Sequence, residues 1–128
     1  MYQKLMKLLE NSYSPYSHFR VASIVIMKDG SEFSGVNIEN ASYGATICAE
    51  RVAIFSAIAQ GYKPYDFESI HVLCDSSQIQ PSCFMCRQVM SEMFEPDKKV
   101  FWYDNKGQFE THFISEVCPY PFVSQCME

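Results

Sequence analysis

Apolar side chains recur along the chain with two different periods, one typical of helices and one typical of strands. Near the N-terminus Tyr2, Leu5, Met6 and Leu9 repeat every three or four residues with lysines between them, which predicts an amphipathic helix. Helical period or composition marks three segments in all: 1–10, 48–60 and 83–94. Strand-like composition marks five more: 21–27, 32–38, 69–74, 99–103 and 108–114.

Turn signals separate these segments and narrow the choice of fold. Asp29-Gly30 stands between the first two strand segments, and an Asp-Gly pair at this place is a strong hairpin signal. Gly61 follows the second helix, at the position where many helices end. Because helices alternate with the central strands, we expect a sheet covered on both faces. A chain of 128 residues suits one hydrophobic core, so we expect a single domain over residues 1–128.

Charge and hydropathy argue against several classes of partner. The net charge is -5 and lysine and arginine form no cluster, which disfavours a nucleic acid polymer, since phosphate backbones are bound chiefly by cations. No apolar run approaches the ~20 residues that span a bilayer, so we expect no membrane partner. The N-terminal segment lacks the continuous apolar stretch of a secretory signal, which favours a cytoplasmic protein.

Three of the six cysteines are placed where a metal ion would need them. Six cysteines permit three disulfides by count, but closely spaced cysteines in a cytoplasmic chain more often bind metal. Cys83 and Cys86 lie three residues apart at a predicted helix start, and Cys48 opens the other central helix. The positive end of the helix dipole favours thiolates at these positions. Three thiolates suit tetrahedral zinc and leave its fourth position for water, which is the catalytic pattern.

Glu50 lies in the first turn of the same predicted helix as Cys48, beside the metal site but not as a ligand. Zinc lowers the pKa of a bound water to about 7, and a neighbouring carboxylate can carry the proton to a substrate. The cysteines and Glu50 therefore predict a hydrolytic centre. Three plainer interpretations remain open: buried cysteines with a purely structural role, a zinc ion that only stabilises the fold, and a glutamate favoured only by the helix dipole.

The two cysteine segments together carry a resemblance to a known family. Residues 48–51 read Cys-Ala-Glu-Arg and residues 81–88 read Pro-Ser-Cys-Phe-Met-Cys-Arg-Gln, and this combination resembles the small zinc-dependent cytidine deaminases. Segments 16–19, 37–41 and 118–122 are similar to other parts of that family's pattern. The resemblance implies a three-layer α/β/α sandwich with a central mixed sheet of about five strands. It also implies one zinc ion per subunit, deamination of cytidine or deoxycytidine, and a homotetramer with shared active sites.

The resemblance also implies roles for individual residues in the binding of a nucleoside. Asn37 and Glu39 would hydrogen-bond the ribose, Phe19 would pack against the base, and backbone groups near Ala41 would read the pyrimidine edge. Arg51 and Gln88 would lie around the metal ligands, where the charge of Arg51 offsets the thiolates. Tyr43 and Phe122 match positions that reach a neighbouring subunit's pocket.

Some residues depart from the family pattern and leave the substrate open. Arg20 and Gly44 stand where the pattern often has other residues, and Ser82-Cys83-Phe84 replaces Pro-Cys-Gly. One alternative is therefore a deaminase of a modified cytosine nucleoside such as blasticidin S. Another is a non-catalytic, zinc-stabilised nucleoside-binding module.

Overall fold

A five-stranded mixed sheet forms the centre of the protein. The computed structural model describes residues 1–127, apart from the side chain of Cys126. The strands are β1 (Val21–Met27), β2 (Glu32–Val36), β3 (Phe67–Cys74), β4 (Lys99–Tyr103) and β5 (Phe109–Phe113), in the order β2-β1-β3-β4-β5. Only β3 and β4 run parallel, and every other neighbouring pair is antiparallel. The mixed sheet of five strands predicted above is therefore confirmed.

Helices cover both faces of the sheet. The helices are α1 (Tyr2–Leu8), α2 (Ala49–Ala59), α3 (Phe84–Met93) and the short α4 (Ile114–Val117). Helices α2 and α3 pack on one face, where Ile54 and Met90 join Ile70 of β3 in the larger apolar core. Helix α1 covers the other face, where Leu5 packs against Leu73 of β3. Within residues 1–127, no helix has the length and apolar character needed to cross a membrane.

The N-terminal hairpin forms as the Asp-Gly signal predicts. Strands β1 and β2 pair from Ala22↔Val36 to Ile26↔Glu32, and Gly30 occupies the turn with φ +89°. Strand β2 ends two residues earlier than the predicted segment 32–38. Ile38 pairs with Tyr13 and Ile47 instead of with β1, so the chain leaves the sheet there.

Helix α2 lies unusually close to β2. A Cβ atom at Gly35 would lie only 2.5 Å from the carbonyl oxygen of Ala49 and 2.5 Å from the backbone nitrogen of Ala53. Glycine in a strand interior often marks such a close approach of two backbones. The absence of a side chain at Gly35 therefore sets the short distance between the first turn of α2 and strand β2.

The two ends of the molecule carry different parts of the helices and strands. At one end lie the carboxyl ends of β3 and β4 together with the starts of α2 and α3. At the opposite end, the turns that follow β1, α2 and α3 contact one another. Lys28 N–H donates to the Asp66 carbonyl, Tyr65 N–H donates to the Met93 carbonyl, and the Lys28 ammonium pairs with Glu95.

Candidate functional site

The three predicted cysteines meet at the end of the molecule that carries the helix starts. Cys48 is the N-cap of α2, Cys83 is the N-cap of α3, and Cys86 lies in the first turn of α3. Their Sγ atoms all lie within 4.8 Å of one another, and those of Cys48 and Cys83 are 3.7 Å apart. The backbone N–H of Cys86 points at the Cys83 sulfur at 3.5 Å, as the N–H groups of a first helical turn do for a capping acceptor.

The sulfur positions fit a zinc ion. Tetrahedral zinc with Zn–S bonds of about 2.3 Å holds its sulfur ligands ~3.8 Å apart, close to the separation of the Cys48 and Cys83 sulfurs. All three cysteines are free thiols, so each sulfur is available as a ligand. Three cysteine ligands leave one coordination position for a non-protein ligand.

Electrostatics around the cluster favour a thiolate. A hydrogen bond from Cys86, together with the nearby Arg51 guanidinium, lowers the pKa of the Cys48 thiol to about 5. The pKa of Cys86 is raised, because its thiol donates that hydrogen bond and is buried. Arg51 Nη2 lies 3.3 Å from the Cys48 sulfur. The site thus holds negative charge on sulfur before a metal binds, and binding displaces the remaining thiol protons.

Glu50 is buried beside the cluster. Its side chain projects from the first turn of α2, and the residue is only 4% exposed. Burial raises the pKa of its carboxyl group, and a hydrogen bond from Ser82 opposes that rise. A carboxyl group in this environment is suited to accept and return a proton.

A cavity of about 330 Å³ opens above these groups, which is the size of a small-molecule site. Cys48, Glu50 and Cys83 line its inner wall. Phe19 and Glu39 also line it. The arrangement places a metal-binding cluster, a buried carboxyl group and an aromatic ring around one small-molecule cavity.

Comparison with known proteins identifies the family. A model of the cytidine and deoxycytidylate deaminase zinc-binding region matches residues 1–103. The chain belongs to this family. A cytidine deaminase from Halalkalibacterium halodurans is 43% identical over 118 residues, which are 92% of this chain and 88% of that protein. A cytidine deaminase crystal structure from Burkholderia pseudomallei superposes with a TM-score of 0.89 at 38% identity, over 94% of both chains. A blasticidin-S deaminase from Bacillus cereus is 33% identical over 107 residues, 77% of this chain and 74% of that protein.

Of the residues that the deaminase pattern assigns to the sugar, Asn37 and Glu39 line the cavity but also hold its wall together. Asn37 Oδ1 accepts hydrogen bonds from the Ser12 hydroxyl at 2.5 Å and from Val21 N–H at 2.9 Å, while its Nδ2 donates to the Phe19 carbonyl. One amide N–H of Asn37 therefore remains for a ligand. Glu39 accepts from the backbone N–H groups of residues 16 and 17 and from the hydroxyl of residue 17.

Four other residues suggested by the deaminase pattern do not line the cavity within this subunit. Ala41 is exposed, and Tyr43 is 78% exposed with its ring edge-on to Tyr16 at 6.3 Å. The Phe122 side chain is also exposed. Gln88 contacts the backbone of Phe122 and not a cysteine. Its Nε2 donates to the Phe122 carbonyl at 2.8 Å, and its Oε1 accepts from the Phe122 N–H at 3.0 Å. Gln88 thus anchors the C-terminal segment to α3, and Phe122 lines a different pocket together with Tyr65 and Glu92.

Sequence reasoning missed three residues of this region. Cys74 ends β3 and lines the cavity, and burial raises its thiol pKa to about 12. Its position at the carboxyl end of a parallel strand was the available signal, because ligand sites of α/β sheets gather there. Ser82 also lines the cavity, and Trp102 donates a hydrogen bond to it. No sequence signal indicates that contact, since the two residues are 20 positions apart.

Proposed function

We propose that this protein catalyses the zinc-dependent hydrolytic deamination of cytidine and deoxycytidine to uridine and deoxyuridine, with release of ammonia. One observation carries the proposal: Cys48 and Cys83 of the three-thiol cluster line the same cavity of small-molecule size as the buried Glu50. Membership of the deaminase family and the cytidine deaminases among its relatives support the same reaction.

Zinc would be held by Cys48, Cys83 and Cys86. When bound, it supplies the activation of water for attack at neutral pH. The protein supplies the charge balance, because the Arg51 guanidinium lies 3.3 Å from the Cys48 sulfur and offsets the thiolates.

Glu50 moves the protons of the reaction. Its carboxylate accepts a proton from the attacking water and delivers it to the ring nitrogen of the pyrimidine, while the oxygen adds to the amine-bearing carbon. Glu50 then transfers the second water proton to the amine, the carbon–nitrogen bond breaks, and ammonia leaves. Burial of the carboxyl group suits this task, since a fully hydrated carboxylate is too weak a base at neutral pH.

Glu39, Asn37 and Phe19 hold the nucleoside in the cavity. Glu39 retains unused carboxylate lone pairs and Asn37 retains one N–H, which together accept and donate hydrogen bonds to ribose hydroxyls. The Phe19 ring, partly exposed in the cavity, packs against the base.

The decisive experiment measures ammonia release from cytidine by zinc-loaded protein, with Glu50→Gln as the matched variant. Glutamine keeps the shape of the side chain but cannot accept the proton, so we expect turnover to fall by at least about 100-fold with zinc still bound. Full activity in Glu50→Gln would remove the proton-transfer role. A strong preference for blasticidin S over cytidine would instead indicate a modified-nucleoside deaminase. Cytidine binding without turnover, at full zinc occupancy, would indicate a binding module.

We further propose that the enzyme acts in pyrimidine salvage in the cytoplasm, as a homotetramer with shared active sites. Large aromatic side chains are exposed on the surface, among them Tyr43 and Tyr120, which is 95% exposed, and such surfaces commonly mark protein interfaces. The free thiols favour a reducing compartment. Sedimentation equilibrium tests the assembly, with four times 14.8 kDa expected and the single-chain mass contradicting it. Cell fractionation with an antibody tests the compartment.

A further inference from the structure

The indole of Trp102 makes a buried polar contact beside the cavity. Its Nε1–H donates to the Ser82 hydroxyl oxygen at 3.0 Å, and both residues are buried. An indole nitrogen is only a donor, so the serine oxygen is the acceptor in this pair. The hydroxyl has a single proton, which is therefore left for another acceptor.

Glu50 lines the same cavity as Ser82 and is a carboxyl acceptor for that proton. A hydrogen bond from Ser82 lowers the pKa of the Glu50 carboxyl group against the larger effect of burial. The backbone of Ser82 is fixed as well, because its carbonyl accepts from Arg87 Nε at 2.7 Å. The same guanidinium lies 5.5 Å from the centre of the Trp102 ring. Ser82 is thus held through both its side chain and its backbone.

We propose that Ser82 is a positioning residue for Glu50, and that Trp102 orients the Ser82 hydroxyl toward the carboxylate. This inference rests on the proposed deaminase function. The three groups form a chain in which the indole N–H polarises the hydroxyl and the hydroxyl binds the carboxylate. Loss of the hydroxyl leaves a buried carboxylate oxygen without that partner and frees the Glu50 side chain to rotate away from the substrate. The effect therefore falls on turnover and not on substrate affinity.

A double-mutant cycle tests the arrangement through turnover of cytidine. We expect Ser82→Ala to lower kcat by about 10-fold, with KM within about twofold and one zinc ion still bound per chain. Trp102→Phe removes the N–H donor together with part of the buried ring volume, and should lower kcat less. The double variant should be no worse than Ser82→Ala, because Trp102 acts through Ser82. Ser23→Ala removes another buried serine hydroxyl, one that donates to the His71 carbonyl away from the cavity, and should keep the wild-type kcat. Additive losses, or a loss confined to KM, would overturn the proposal.

A spectroscopic test does not depend on turnover. The chain has one tryptophan, so its indole N–H gives a single resonance in a ¹H–¹⁵N spectrum. We expect Glu50→Gln to shift that resonance in the wild-type background but not in Ser82→Ala, because the connection passes through the hydroxyl. If Glu50→Gln leaves the indole resonance unshifted in the wild-type background, the proposed link from Trp102 through Ser82 to Glu50 is disproved. Absence of cytidine turnover in the zinc-loaded wild type would refute the proposed function, and the spectra would still decide the role of Ser82.

Discussion

Replacement of Gly35 by alanine tests how closely helix α2 approaches the sheet. The added Cβ would lie 2.5 Å from the Ala49 carbonyl oxygen, 2.5 Å from the Ala53 nitrogen and 2.9 Å from the Val52 Cβ, whereas ordinary contacts begin at 3.4 Å. Two of these three atoms belong to the backbone and cannot rotate away. Helix α2 must therefore move outward by roughly 1 Å.

Two opposing effects set the size of the change. Overpacking of this kind costs typically about 1–3 kcal/mol. Gly→Ala also reduces the entropy of the unfolded chain, which stabilises the folded state by about 0.4–1 kcal/mol. Because the clash is with backbone, we place its cost at the upper end of the range and expect the free energy of unfolding to fall by about 2 kcal/mol. Cys48 is the N-cap of the displaced helix, so zinc affinity should fall as well.

Urea unfolding, followed by far-UV circular dichroism, measures this loss. All samples should contain the same free zinc concentration, because bound metal adds to the apparent stability. Gly44→Ala is the matched control, since its Cβ would meet nothing within 4 Å, and it should stay within about 0.5 kcal/mol of the wild type. Equal stability of the two variants would refute the close approach of α2 to β2.

Three further predictions concern the metal cluster and a buried histidine. Cys86→Ser should abolish stoichiometric zinc binding and Cys118→Ser should retain it, as measured by atomic absorption; zinc retained in both would exclude Cys86 as a ligand. Arg51→Gln should weaken zinc binding by about 10-fold in a chelator competition, because the guanidinium that contacts the Cys48 sulfur is lost; unchanged affinity would make that contact incidental. Burial lowers the pKa of His71 from its ordinary 6.5 to about 4, so below pH 6.5 the unfolded chain takes up a proton that the folded protein does not. Its contribution to stability is complete above pH 6.5 and should decline by up to about 3 kcal/mol as the pH falls to 4, and His71→Gln should lack this part of the pH dependence in urea titrations.

Residue type and spacing predicted the elements that depend on local chemistry. Strands β1 and β4 begin and end at the predicted residues, because turn residues and continuous apolar runs bound them clearly. The meeting of Cys48 with Cys83 also followed from the sequence, since a thiolate favours a helix start and both helices start at the same end of the sheet.

Features that depend on contacts between distant segments could not be predicted. The four residues of α4 are too few for a helical period to show. Nothing in the sequence around Gly35 indicates that a helix from the next segment rests on it. The exposure of Tyr43 is likewise a property of one subunit, so its predicted role at a neighbouring pocket stays a prediction.

The two ends of the molecule differ in whether the chain can be lengthened there without disturbing the cavity. Every side chain of the cavity comes from the end that carries the helix starts, whereas residues 60–66 connect α2 to β3 at the opposite end. Lys63 and Pro64 are exposed in that connection, and exposed loop tips commonly accept inserted sequence. A peptide tag or a second domain inserted between them would project away from the substrate. An insertion there breaks the local hydrogen bond from Asp66 N–H to the Lys63 carbonyl, but we expect it to leave the residues of the cavity in place.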